Sequence, residues 1–303
     1  MRRVPGWTIV TVAGAVVLAG CGGGGKTADP TALKSVKVVA QLDGTRQPLD
    51  AAPSPDGKTF YFTTTGDAGG AVVRIPGGGG AMATLAEGAP LARPTGVAVA
   101  DDDSRLFLAD GALLTVPTSG PPVAPAVIPG TEGRAARGLD VVGDTVYFTG
   151  TDPGNGQPGL FRVPAVGGVV ATVAVGAPFV APDSVVVDAQ GVAYVTDQGA
   201  GPGQGLVLRV ADGKATPVLT GLRLGVPAGV TLIHDEKTLL VSSIDPTTHA
   251  DQVLFLELAT GSTATKAIGE SKDTSGGLHR ARGAGVLAWA DVQRPGRVYR
   301  VEL

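Results

Sequence analysis

The sequence predicts an all-β molecule: a six-bladed β-propeller of four-stranded blades, its ring closed by the N-terminal strand. Three observations lead there. A unit of short apolar runs separated by turns, clearest in residues 182–210, recurs about every 45 residues, a period that belongs to propeller blades. Its first runs begin near residues 50, 96, 138, 184, 229 and 277. No stretch carries apolar residues at helical spacing with caps around it. The sixth unit stops one run short, at Leu303, while an unclaimed run, residues 36–42 (VKVVAQL), stands ahead of the first unit. That run is expected to pair with the last blade and remove the open edges that a row of repeats would expose.

The strands of each unit follow in order. The innermost run (A) is AAPS, VAVA, LDVV, VVVD, VTLI and LHRA in the six units. The second run (B) is TFYFTT, RLFLA, TVYFT, VAYVT, TLLVSS and VLAWA. Between A and B stand residues that tolerate or pre-set a turn, such as Pro55-Asp56-Gly57-Lys58 and Asp101-Asp102-Asp103. The third run (C) includes AVVRIP, GLFRVP and LVLRVA, and the fourth (D) includes AMATLAE, VVATVAV and ATPVLTG. Arg74, Arg162, Arg209 and Arg300 sit in the C runs, where an arginine lays its stem on apolar surface and keeps its head in water.

Composition agrees with a folded body rich in turns. Of 303 residues, 43% are apolar and 17% charged, so a core can form. Gly (47) and Pro (23) punctuate the apolar runs without a collagen period. The formal charge is −3 with no block of like charge, which excludes a nucleic-acid partner, since that needs a basic stripe.

The N-terminus reads as an address. Arg2 and Arg3 precede an apolar stretch, residues 7–18, that is shorter than the roughly 20 residues of a membrane span. Leu18-Ala19-Gly20-Cys21 then has the form of a bacterial lipobox. This assigns residues 1–20 to a lipoprotein signal peptide, Cys21 to lipidation, residues 21–35 to a Gly-rich tether and residues 36–303 to the propeller. Several acyl chains on one Cys anchor a protein stably where one chain does not. The expected location is the bacterial cell envelope, on the outer face of the cytoplasmic membrane or on the outer membrane. Cys21 is the only cysteine, so no disulfide is available. A monomer is expected.

Two sets of polar residues stand out. An Asp follows every B run: Asp67, Asp110, Asp152, Asp197, Asp245 and Asp291. A ring of carboxylates for cations is one reading. Repetition in all six units favours the other, in which each Asp accepts amide N–H bonds from its own B–C turn. The second set follows from chain direction. D–A and B–C connections share one face, and A–B and C–D connections share the other. The A strands line the central channel, and its polar breaks are Asp50, Arg137, Asp140, Asp183 and His279, the candidate channel or ligand-binding residues. Arg137 either neutralises a neighbouring Asp or meets a ligand. The B–C loops are long in units 3 to 5 (residues 152–159, 197–205 and 245–252, the last with His249), and long unlike loops on a rigid scaffold are where binding resides.

Residues 182–197, PDSVVVDAQGVAYVTD, resemble the repeats of NHL, SMP-30/gluconolactonase-like and streptogramin-lyase-like six-bladed propellers, and residues 54–58, SPDGK, resemble the turn of TolB-type repeats. The resemblance spans residues 36–303 and implies the fold. The SMP-30-like lactonases further imply a divalent cation at the channel mouth, held by Glu, Asn and Asp, which polarises a lactone carbonyl and activates water. Here Asp183 matches the family's Asp and Asp50 takes the Glu position. Arg137, ahead of Gly138-Leu139-Asp140, stands where the family carries Asn. The streptogramin-lyase pattern of His and Glu on late blades is met by His279 alone. The expected function is a lipid-anchored binding, sensor or scaffold module that uses its loop-rich face on a protein, peptide or glycan, without catalytic residues or cofactor. The alternative is a divalent-metal-dependent lactonase or hydrolase with a degenerate site, using Asp50 and Asp183 as ligands beside Asp140 and His279.

Overall fold

Each unit alternates β-branched and aromatic residues with turns that its own side chains close, and each becomes one four-stranded antiparallel sheet in the computed structural model, which describes residues 33–233 and 236–303. Residues 1–32, with the expected signal peptide, Cys21 and most of the tether, lie outside the described residues. The chain opens with β1 (Ser35–Gln41). Blade 1 follows as β2 (Arg46–Pro53), β3 (Thr59–Gly66), β4 (Gly69–Pro76) and β5 (Ala83–Glu87). Blade 2 is β6 (Gly96–Val99), β7 (Arg105–Asp110), β8 (Ala112–Pro117) and β9 (Ala126–Val127). Blade 3 is β10 (Leu139–Val142), β11 (Thr145–Thr151), β12 (Pro158–Pro164) and β13 (Ala171–Val175). Blade 4 is β14 (Pro182–Val187), β15 (Ala193–Asp197), β16 (Gly205–Ala211) and β17 (Lys214–Leu222). Blade 5 is β18 (Val230–Ile233), β19 (Thr238–Ile244), β20 (Ala250–Glu257) and β21 (Thr263–Lys272). Blade 6 has β22 (Ser275–Arg280), β23 (Val286–Asp291) and β24 (Arg297–Glu302), and its outer strand is β1.

That last pairing closes the ring in the way the sequence predicts. β1 runs antiparallel to β24, with Ser35 opposite Glu302 and Gln41 opposite Arg297, and one bulge between Val38 and Ala40. Other details depart from the sequence reading. β2 begins at Arg46, ahead of the expected start near residue 50. β9 has only two residues, because Pro121, Pro122, Pro125 and Pro129 around it cannot donate to a ladder. A long B–C loop also occurs in blade 6, residues 292–296.

Packing between blades explains the composition. Neighbouring sheets interdigitate: Phe60 and Phe62 lie with Val286 and Val298, and Phe107, Phe148 and Phe161 lie together between blades 2 and 3. Trp289 stacks on Tyr299 with centroids 5.0 Å apart. Fully burying one such large apolar side chain stabilises the fold by about 1.5–3 kcal/mol.

Near the channel, polar stitches replace apolar packing. Thr149, Thr196 and Ser242 on the B strands each accept an amide at or just before the start of the A strand of their own blade, from Gly138 (3.0 Å), Ser184 (3.0 Å) and Gly229 (2.6 Å). Each hydroxyl also faces a carbonyl on the next blade: Asp183 O at 2.6 Å, Ala228 O at 3.4 Å and Gly276 O at 2.9 Å. Such close approach needs glycine. A Cβ on Gly138 would lie 2.1 Å from the carbonyl oxygen of Asp183.

Candidate functional site

The A strands carry three carboxylates into the channel, and each is committed. Asp50 in β2 accepts from its neighbour Ala51 N–H (2.9 Å) and from Val97 N–H of blade 2 (2.8 Å). Its Oδ2 also lies 2.9 Å from Nε2 of His279 in β22. Asp140 in β10 repeats the device two residues farther down the channel, accepting from Val141 N–H (2.9 Å) and from Val187 N–H of blade 4 (2.8 Å). Arg282, in the A–B turn of blade 6, reaches across the ring to blade 3, where its Nη2 lies 2.9 Å from both oxygens of Asp140. Asp183 at the start of β14 accepts from Ala228 N–H of blade 5 (2.8 Å) and from Nε2 of Gln198 (2.8 Å). These groups therefore tie blades together, and the Arg282–Asp140 pair bars the channel at its A–B end.

Burial sets the electrostatics. It opposes the charge of His279, but the adjacent Asp50 carboxylate outweighs it and the imidazole is held above its usual range, with Asp140 adding and Arg282 subtracting. Burial pushes the carboxyl of Asp183 up, against the pull of Ala228 N–H, Gln198 and the charge of Arg137. Arg137 itself is exposed at the mouth.

The six Asp residues that follow the B runs divide. Asp152 and Asp245 accept amides of their own turns, Gly154 for the first and Thr247 and Thr248 for the second. Asp110 instead holds the D–A loop through the amides of Ala92 and Arg93. Asp197 does both, accepting from Gly199, Val180 and Ala181. Asp291 accepts from Gln293 N–H, and Thr274 Oγ1 lies 2.9 Å from both Asp291 and Asp251. Asp67 is exposed in a tight turn.

The loops of blades 4 and 5 enclose a groove of about 430 Å³ on the face of the D–A and B–C connections, here called the upper face. Gln198 lies at its base, also donating to Gly225 O (2.6 Å), so the groove adjoins the Asp183 end of the channel. The glycine-rich residues 199–203 form one wall, and Leu222, Leu224, Val226 and Ile244 line the groove with them. At the rim, Asp273 binds Arg223 (2.8 Å) and Nδ1 of His249 (2.9 Å), and all three side chains are partly exposed. A recess of about 660 Å³ opens on the opposite, lower face beside blades 5 and 6, with the Glu236–Arg280 pair in its lining.

The residues at the lactonase-like positions do not fit a divalent cation. Asp50 faces His279, Asp183 is held by Gln198 and an amide, and Arg137 brings positive charge beside it. Among the described residues no three His, Cys, Asp or Glu side chains converge to hold a metal. Sequence reasoning missed Arg282, Gln198 and the Ser/Thr stitches. The signals available were a cation three residues beyond His279, a Gln directly after Asp197, and the hydroxyl residue near the end of four B runs.

No family model matches the sequence, and no curated protein does. Solved structures match the fold. A gluconolactonase from Xanthomonas campestris gives a TM-score of 0.64 at 15% identity, over 89% of this chain and 90% of that one. The nidogen/laminin complex gives 0.60 at 16% identity, over 84% and 85%. TolB from Acinetobacter baumannii gives 0.52 at 13% identity, over 88% and 65%. Likeness at these identities is one of fold.

Proposed function

We propose that this chain is a lipid-anchored binding module of the bacterial cell envelope, holding an extended polypeptide segment in the upper-face groove between blades 4 and 5. The carrying observation is the contrast between two regions. The buried channel side chains Asp50, His279, Asp140 and Asp183 are all held by partners within the ring, whereas the groove offers an apolar wall (Leu222, Leu224, Val226, Ile244), a run of small residues (199–203) and, at its rim, the partly exposed Arg223–Asp273 pair with the His249 ring beside it. Apolar pockets with a few placed polar groups are the usual form of a binding site. Among the described residues no aromatic side chain lines the groove for a sugar ring to stack on, which favours polypeptide over glycan.

A displayed random-peptide library panned against the full-length protein tests this. Peptides that bind are expected to lose about tenfold or more in affinity on Leu224→Asp and on Arg223→Ala, and nothing on Val218→Ser at the outer edge of blade 4. Enriched peptides indifferent to both groove variants would place binding elsewhere. A rise in melting temperature with Ca²⁺, Mn²⁺ or Zn²⁺ that Asp183→Asn abolishes would instead support the hydrolase reading.

A further inference from the structure

The lower face, which carries the A–B and C–D connections, has an uneven surface. Its inner turns are charged, with Asp101, Asp102 and Asp144 exposed. Its outer turns in blades 1, 2 and 3, residues 77–82, 118–125 and 165–170, contain no charged residue at all. They expose Met82 (46%), Val123 (40%), Val166 (80%) and Val169 (88%). The corresponding turn of blade 4 carries Asp212 and Lys214. These turns belong to three consecutive blades, and each packs on the outer strand or its continuation in the blade before it. Val123 N–H donates to Leu85 O of blade 1 (3.0 Å), and Gly168 N–H of blade 3 donates to Pro129 O of blade 2 (3.0 Å). Gly79 of the blade 1 turn lies against Val39 of β1.

The N-terminal segment leaves from this same face. Ser35 pairs with Glu302 at the end of β24, and Lys34 N–H donates to Glu302 O (2.8 Å), so β1 starts where the C–D turns lie. Residues 22–32 separate this point from Cys21 and span at most about 40 Å. We propose that the uncharged rim of blades 1–3 rests directly on the lipid surface, with the upper groove turned outward. The proposal builds on the anchor at Cys21. Exposed valines enter the boundary between headgroups and acyl chains, and the tether supplies the effective concentration that a small apolar contact needs. The exposed charges on this face are of both signs, Lys58 and Lys237 beside Asp101, Asp102 and Asp144, so no basic patch draws it to anionic headgroups and the contact is apolar.

Hydroxyl-radical labelling of the full-length protein in its own membranes, read by mass spectrometry, tests the proposal. In the fold Val166 and Val169 are far more exposed than Val218 on the outer strand of blade 4 (80% and 88% against 37%). On membranes they are expected to label several-fold less than Val218; labelling in the order of their exposure would overturn the proposal. Partition of the protein onto phosphatidylcholine vesicles supplies a second readout. Val166→Asp with Val169→Asp is expected to reduce it by about tenfold per valine, the ratio that withdrawing one such side chain from water corresponds to. An unchanged partition would sink the idea, as would binding that appears only when phosphatidylglycerol is added. The mass of the N-terminal peptide reports separately on the anchor. A bare Cys21 refutes the anchor while the vesicle result still decides the rim, and an acylated Cys21 with a freely labelled rim refutes the rim alone.

Discussion

One neighbour raises the proton affinity of His279. Burial disfavours an imidazolium, yet the Asp50 carboxylate beside it reverses the balance and raises the folded-state value above the usual one. A raised histidine contributes stability that is fully present below its unfolded value, about 6.5, and is lost as pH rises through the folded value. Asp183, also raised, works in the same sense: the fold favours its protonated form, so stability falls as pH climbs from the unfolded value of about 3.9 through the folded one. Urea midpoints are therefore expected to fall as pH rises from about 6.5 upward. His279→Gln should cost about 3 kcal/mol at the acid end by stranding buried Asp50, and should flatten the profile. A wild-type profile already flat above that pH would contradict the assignment. At this scale the sequence was half legible. Position along an A strand could be counted, which found Asp50, Asp140, Asp183 and His279. Their partners could not, because His279 meets Asp50 across 229 positions and Arg282 meets Asp140 across 142.

Strands were the most legible elements, since alternation, turn residues and period all point the same way. What escaped was the cause of the small residues opening the A strands. Gly138 sits where the ring narrows and a Cβ would strike backbone of the next blade, so the constraint belongs to the blade interface and not to local propensity. Gly138→Ala is expected to destabilise by about 1–3 kcal/mol, as overpacking does, although alanine is the better residue for a generic strand. Calorimetry with an unchanged melting temperature would show that the blades can part to admit a methyl group. The short β9 is the complementary case. Prolines visible in the sequence limit it, but only the fold shows that Val123, in the turn before it, bonds blade 1.

For the whole molecule, the count of runs sufficed to give six blades and their closure, because the missing outer strand at one end matched the spare run at the other. The distribution of surface character was not legible, since it depends on which turns the ring gathers on one face. The β1–β24 seam also bears on how the chain folds. Joining Ser35 to Glu302 brings together residues from nearly the full length of the chain, the most entropically demanding contact in the ring. A circular permutant that links Leu303 to Leu33 through a short turn, with new ends between β1 and β2, would convert that contact into a local hairpin and make all six blades contiguous in the chain. Lower contact order should quicken refolding, by an amount readable in stopped-flow kinetics, while the native contacts stay the same. Permuted and natural chains refolding at equal rates would mean that the seam forms after the rate-limiting step. The natural order then has a kinetic character of its own: while a ribosome is still making this chain, five blades can assemble, but the first strand must wait for the last.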